Sequence, residues 1–360
     1  MAGYGLINQV ALKETASAKV FEKLVQGILH VNGKGVDESY INGSALGSQS
    51  IAIPHVALGG GAFRKLGASV NGGQFNSNDA NVPTSDYFYV PLTFVYDQTE
   101  TLAKIMNDKA GYDLLSNVTE NIAKKITRGI NALTFAEQIV KTLNDSYEGG
   151  EALFVKDAST SNIFKCIVDA NAKLDEGDEA IGVDYFPTEN RQIFFRPTAF
   201  ASLKTSSNGQ YITQSNYGQE MLATGVLNPF KNSEATKVEL RDGYCGEIDG
   251  VPCYKVSPIL LKLAAGYVNK GAAAIGDNAF DNIEAIVCSS IGTIRGFTST
   301  GDIEVVPATK GQGWILQPLV HGGVSCISGK SVRLITKSAF TNPVTSAETK
   351  LSILPPQSRA

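Results

Sequence analysis

Histidine is nearly missing from this chain: His30, His55 and His321 are the only three in 360 residues. That restricts enzyme chemistry, because a nucleophilic Ser or Cys needs a base within hydrogen-bond reach. The five cysteines (Cys166, Cys245, Cys253, Cys288 and Cys326) form an odd set without a Cys-x-x-Cys pair. Such usage excludes a disulfide framework and a spaced zinc site, and suits a reducing compartment. Long apolar runs are absent too. The longest, Pro258–Leu261 and Leu263–Val268, are separated by Lys262 and fall far short of the roughly 18 residues of a membrane span. The N-terminus has no basic stretch followed by an apolar one, so no secretory signal is expected. Nor is there a surplus of positive charge: 31 basic and 35 acidic residues leave −4, against a dedicated nucleic-acid binder held by phosphate contacts.

What remains is a foldable chain. Hydrophobic residues make up 43% and charged residues 18%, a balance that excludes wholesale disorder. The 36 glycines show no three-residue period, which excludes collagen. At 360 residues the chain is too long for one core and suggests two domains.

Val20, Phe21, Leu24, Val25 and Ile28 recur at helical spacing, so a short amphipathic helix is expected over Glu14–Leu29, ended by Gly33 and Gly35. Strands follow at Gln49–Leu58, broken by Pro54, and at Asp86–Val95, rich in Tyr, Phe, Val and Thr. Between them lies Gly59–Ser85, with Gly59-Gly60-Gly61, Gly67 and Gly72-Gly73. A loop of this length inside a compact domain is uncommon. As a two-stranded arm it would reach roughly 50 Å. Such a hairpin is marginal alone in water, so a second subunit is its expected cover.

The strongest periodic signal runs through Leu115, Val118, Ile122, Ile126, Ile130, Leu133, Ala136, Val140 and Leu143, spaced three or four apart throughout. It predicts one helix from an N-cap at Asp113 to Asn144, about 48 Å long, against a mean helix of 11–12 residues. Gly129 interrupts it at a cost of roughly 0.5–1 kcal/mol relative to Ala. Beyond Glu148-Gly-Gly-Glu the pattern changes. A helix at Ser161–Leu174, a strand at Gln192–Phe195 and a helix from Pro197 to Leu203 are expected. Asp249-Gly250 signals a type I′ turn in a hairpin over Gly243–Val256. Further strands are expected at Ile283–Cys288, Thr293–Phe297, Ile303–Val306, Trp314–Val320 and Ser331–Thr336, then a polar tail at Thr341–Ala360. The fold class is α+β.

No chemical constellation stands out. His321 with Cys326 is the one close base–nucleophile pair, and a buried Cys beside a strand-end His is the plainer reading. Cys245 and Cys253 flank the hairpin without further soft ligands. Gly59-Gly60-Gly61 with Arg64 and Lys65 departs from a phosphate loop, because Leu66 follows the Lys. Asp175/Glu176 and Asp178/Glu179 are expected on a solvated face. No catalytic residue, cofactor or metal is expected.

The order of these elements resembles the major capsid protein of tailed double-stranded DNA bacteriophages, the Hong Kong 97-type fold. Two local patterns extend the likeness over about residues 45–340. Arg191-Gln-Ile-Phe-Phe-Arg-Pro197 with Leu203 resembles the family's Arg, apolar strand, Pro, helix run. Gly246-Glu-Ile-Asp-Gly250-Val-Pro-Cys-Tyr-Lys-Val-Ser257 resembles its Gly-x-apolar-x-Gly hairpin and the following Ser. The resemblance implies an N-terminal arm (1–47) and an extended loop with flanking strands (48–96). It also implies a peripheral domain (97–154 and 303–360) containing the spine helix 113–144, and an axial domain (155–302).

The implied function is structural: hexamers and pentamers closing into an icosahedral shell around double-stranded DNA, in the virion after assembly in the host bacterial cytoplasm. Scaffolding protein, portal and decoration proteins are the implied partners. A separate scaffold is expected because the chain starts directly at the arm. Phe63, Arg64 and Lys65 would contact the neighbouring subunit from the extended loop. Gly129 would be the hinge of the spine helix, and Gly246, Asp249 and Gly250 the axial-domain hairpin. Some relatives cross-link through a loop Lys, and Lys65 lies in that region, but no Asn partner is evident and cross-linking is not expected. Residues 1–30 carry three Lys against two Glu, too few for genome condensation, so DNA would enter through a portal by a motor, without sequence-specific binding. The alternatives are an encapsulin-type bacterial nanocompartment, which shares the fold, and a two-domain cytosolic enzyme.

Overall fold

The apolar stripe at 115–143 is realised, in the computed structural model, as a single helix α1 (Leu114–Gly149) of 36 residues, about 54 Å long. The residues described are 13–14, 16–18, 23, 27–38, 50–56, 85–91, 94–96, 100–103, 114–149, 163–205, 243–268, 280–298, 303–307, 313–318, 320–337, 344 and 350–353, with some side chains within them left out. The expected N-cap Asp113 lies outside them. The helix outruns its expected end at Asn144 by five residues because tertiary partners take over where apolar contacts end. The Asn144 amide donates to the Leu351 carbonyl at 3.0 Å and accepts from the Leu351 N–H at 3.2 Å. Asp145 accepts from the Gly329 N–H at 2.6 Å.

Four segments at the start of the chain flank this helix. Strand β1 (Ser50–Val56) pairs antiparallel with β2 (Ser85–Pro91), from Ser50 opposite Pro91 to Val56 opposite Ser85. Pro54 does not break β1. A two-stranded ladder has an outward side on each strand where a missing N–H costs no pairing. The expected strand Asp86–Val95 is in fact two, because β2 pairs with β1 whereas β3 (Phe94–Tyr96) pairs with a late strand. Strand β4 (Glu100–Ala103) was not expected.

The central sheet follows from alternation. After α2 (Ile163–Leu174) come β5 (Arg191–Phe195), α3 (Pro197–Thr205), β6 (Tyr244–Ile248), β7 (Val251–Lys255), α4 (Pro258–Gly266) and β8 (Ile283–Ser289). With the final strand β13 (Val332–Thr336) they build a sheet in the order β13-β8-β5-β7-β6, parallel only between β5 and β7. Phe194, Ile286 and Cys288 face one core with α1 and α4, whereas Ile193, Phe195 and Val287 face another with α2 and α3. Helices cover both faces, which is why β5 is buried at all five positions.

Helix α4 was missed because its apolar run also reads as a buried strand. The discriminating signals are local: the Ser257 side chain caps the Ile259 N–H, and Pro258 occupies the first turn.

Two smaller sheets complete the body. Strands β10 (Ile303–Pro307) and β11 (Gly313–Pro318) form one with β4, in the order β10-β11-β4. Strand β12 (Val320–Cys326) lies between β3 and β9 (Thr293–Thr298) in the other. The early half of α1 packs Ile122, Ile126 and Ile130 against Ile303, Val305 and Leu316. Strand β12 was legible only at Val320, since His-Gly-Gly lowers its strand propensity. Gly322 is required by close approach: a Cβ there would lie 2.1 Å from the Gly296 carbonyl oxygen. The expected polar tail is also corrected, for Val344 and Leu351 are buried.

A polar network ties residues 27–38 to the body. The helical residues 13–14, 16–18, 23 and 27 precede it, and the chain leaves the helix at Gly27, two residues before the expected Leu29. The Asn131 amide accepts from the Leu29 N–H at 3.1 Å and donates to the Gly27 carbonyl at 3.0 Å. Gln192 accepts from the Val31 N–H at 3.0 Å, and Gln138 meets the His30 ring at 3.1 Å. Arg295 pairs with Glu38 and donates to the His30 carbonyl. Asn131→Ala leaves two backbone groups without their partner and should cost about 1–3 kcal/mol. Equilibrium urea denaturation should show a lower midpoint with an unchanged slope.

Candidate functional site

The features singled out from the sequence occupy three places. Phe63, Arg64 and Lys65 fall in 57–84, outside the described residues. Their flanks are described: the chain leaves β1 at Val56 and re-enters β2 at the paired residue Ser85. The ladder is two-stranded, so each strand's outer edge has no strand partner among the described residues. Strand edges left without a strand partner are templates for another chain.

Gly129 sits midway along α1, partly exposed, and a Cβ built there would meet nothing within 4 Å. Close packing among the described residues therefore does not explain it. Gly246, Asp249 and Gly250 lie together in the β6–β7 hairpin. Asp249 has φ of 53° and Gly250 of 76°, the two positive values that a type I′ turn demands. Gly246, at φ 125°, lies at the register shift beside Cys253, so its role is a bulge. The hairpin tip borders a shallow cavity of about 220 Å³ with Val168, Asp175, Thr188 and Arg191.

Of the acidic residues expected on a solvated face, Asp175 is exposed as expected, whereas Asp178 is structural instead. Asp178 is 5% exposed. It caps the 3-10 turn Glu179–Ile181 through the Ala180 N–H and accepts from the Ser328 hydroxyl at 2.5 Å. Asp175 pairs with the buried Arg191, whose guanidinium also donates to the Phe186 and Asn171 carbonyls. Buried charge persists only when paired and hydrogen-bonded. The sequence signal was an Arg opening an otherwise apolar strand.

The nucleophile readings fail on geometry. His321 and Cys326 stand at opposite parts of β12, five positions and about 17 Å apart along a strand. All five cysteines are buried free thiols. Burial pushes Cys326 up to about 12 and holds Cys253 and Cys288 well above the ordinary range, far from the thiolate that reacts. No group of three or more metal-ligating side chains occurs among the described residues.

One titration matters for stability. Burial raises Glu137 on α1 to about 7, against a smaller opposing pull from Lys141. Its folded form favours the proton, so stability is highest below about 4.5 and declines as pH rises towards about 7. At 1.36 kcal/mol per pH unit the loss is at most about 3 kcal/mol. Glu137→Gln should remove it, and its advantage in Tm over the wild type should grow from pH 5 to pH 8.

No family model matches the chain, and no curated protein matches it by sequence. Solved structures do. One described as Mycobacterium phage Che8 aligns with a TM-score of 0.51 at 13% identity, over 84% of this chain and 89% of that one. The capsid of Ralstonia phage GP4 aligns at 0.48 and 12% identity, over 87% and 93% of the two chains. A virus-like particle from Pyrococcus furiosus aligns at 0.44 and 10% identity, over 90% and 98%. A long helix packed under a two-faced sheet, a two-stranded ladder beside β12 and a late return of the chain thus make up a Hong Kong 97-like fold, shared with the phage Che8 chain.

Proposed function

We propose that this protein is a major capsid protein: a structural subunit that assembles with copies of itself into the icosahedral shell of a tailed bacteriophage. The observation that carries the reading is the two-stranded ladder of β1 and β2, whose outer edges lack strand partners among the described residues. A ladder of two strands is marginal alone in water; β12 and β9 approach it from the β2 side, and neighbouring copies are the natural cover for the rest. The fold shared with the phage Che8 chain supports this.

In this reading residues 1–47 are an arm, 48–96 the extended loop, 97–154 with 303–360 a peripheral domain, and 155–302 an axial domain that gathers into hexamers and pentamers. Phe63 anchors the loop on the next subunit while Arg64 and Lys65 pair with acidic residues there. Scaffolding, portal and decoration proteins complete the particle, which forms in the host cytoplasm. The shell acts by packing rather than by catalysis, and holds DNA as a passive container, since a net charge of −4 offers few phosphate contacts. Purified protein should form closed megadalton particles in electron micrographs and sedimentation. Elution as a stable species near 38.2 kDa would refute the reading.

Gly129 serves as the bending point that lets one spine helix fit differently curved surroundings. An added methyl has room and strengthens the helix by about 0.5–1 kcal/mol. Gly129→Ala should therefore leave the fold intact and change particle size or the yield of mature shells, read by cryo-electron microscopy. Unaltered particles would refute the hinge.

A further inference from the structure

Two surface patches of opposite charge lie at opposite ends of the central sheet. The first is a groove of about 490 Å³ between the early half of α1, residues 23, 27 and 29, the end of β7 and the start of α4. Its charged lining is Lys23, Lys124, Arg128 and Lys255 against Glu120 alone, a surplus of three positive charges. Lys255 is held in place by α3, with its ammonium 4.7 Å over the Phe200 ring. Beside the groove, on α4, Ile259 is 64% and Leu263 41% exposed, one helical turn apart on a shared face.

The second patch is the connection from α2 to β5. Between residues 163 and 191 seven acidic and three basic residues leave −4, equal to the charge of the whole chain. Arg191 and Lys173 pair with Asp175 and Glu176 and Asp178 is buried, so the outward-facing unpaired charge of the connection is Glu179, Asp184 and Glu189, all exposed. Among them stands Tyr185, 59% exposed, the most exposed large aromatic among the described residues.

The sheet register sets their relation. Strands β5 and β7 run parallel, with Phe195 beside Lys255. The acidic connection enters at the first residue of β5, while the groove lies at the last residue of β7, about 13 Å further along. Most of the groove belongs to the face covered by α1 and α4, with Lys255 at its rim reaching across to Phe200 on α3, and the acidic connection belongs to the face covered by α2. The patches therefore sit at different ends of the sheet.

We infer that the acidic connection 175–189 of one copy docks into the basic groove of the next, with Tyr185 against Ile259 and Leu263, as a repeating head-to-tail contact of the shell. The inference rests on the shell reading above and names the surfaces that join its subunits. Each patch has an apolar centre with charges around it, the usual anatomy of a specific interface, and the opposite charges select partner and register. Because the two patches differ, the contact is heterologous and repeats around a ring, closing wherever the rotation allows.

The test is charge reversal with rescue. Arg128→Glu with Lys255→Glu should lower the fraction of protein in sedimenting particles at least tenfold. Adding Glu179→Lys and Glu189→Lys to the same chain should restore it. Wild-type assembly by the groove variant overturns the inference, as does failed rescue in a variant whose circular dichroism matches the wild type. A second measurement needs no variant: carbodiimide cross-linking of wild-type particles built from equal amounts of light and heavy-isotope protein. Mixed-isotope peptides should join Lys23, Lys124 or Lys255 to Glu179, Asp184 or Glu189. Particles whose mixed-isotope links avoid these residues overturn the head-to-tail contact and leave the shell reading standing. A wild type that forms no particles overturns the shell reading itself.

Discussion

A helix about 54 Å long with a continuous apolar stripe cannot be covered by one small core, and the rest of the fold answers that requirement. The early half of α1 is covered by β10 and β11, with Ile122, Ile126 and Ile130 against Ile303, Val305 and Leu316. Its later half is covered by the central sheet and α4, with Phe135, Ile139 and Leu143 among Phe194, Ile286 and Leu261. The chain must return to the helix after building the central sheet, and that return accounts for strands from residue 293 onwards pairing with β3 and β4.

Polar side chains along the helix turn this coverage into one register. Asn131, Gln138 and Asn144 each bind backbone or side-chain groups of distant segments. Buried amides without partners would cost more than their bonds contribute when made, so sliding the helix by one turn is disfavoured at several points together. The helix thereby fixes residues 27–38 on one side and Leu351 on another.

Periodicity and turn chemistry are local, and they were readable in the sequence. The stripe from Leu115 to Leu143 announced α1, Pro197 announced α3, and Asp249-Gly250 announced the hairpin together with its positive φ values. Features that depend on a partner from elsewhere in the chain were misread. Asp178 looked like a solvent-facing charge because nothing nearby in sequence reveals Ser328 as its partner. Strand β12 was hidden by Gly322 and Gly323, whose value lies in how closely Gly296 approaches. The split between β2 and β3 exists only because each finds a different neighbour.

By itself, then, the amino-acid sequence determined the long helix and the hairpin, because each is set by contacts a few residues apart. Tertiary structure alone decided which strands share a sheet, which charges are buried, and where positive and negative surfaces come to rest. Those outcomes depend on which distant groups must satisfy one another once water is excluded, and no spacing along the chain records that.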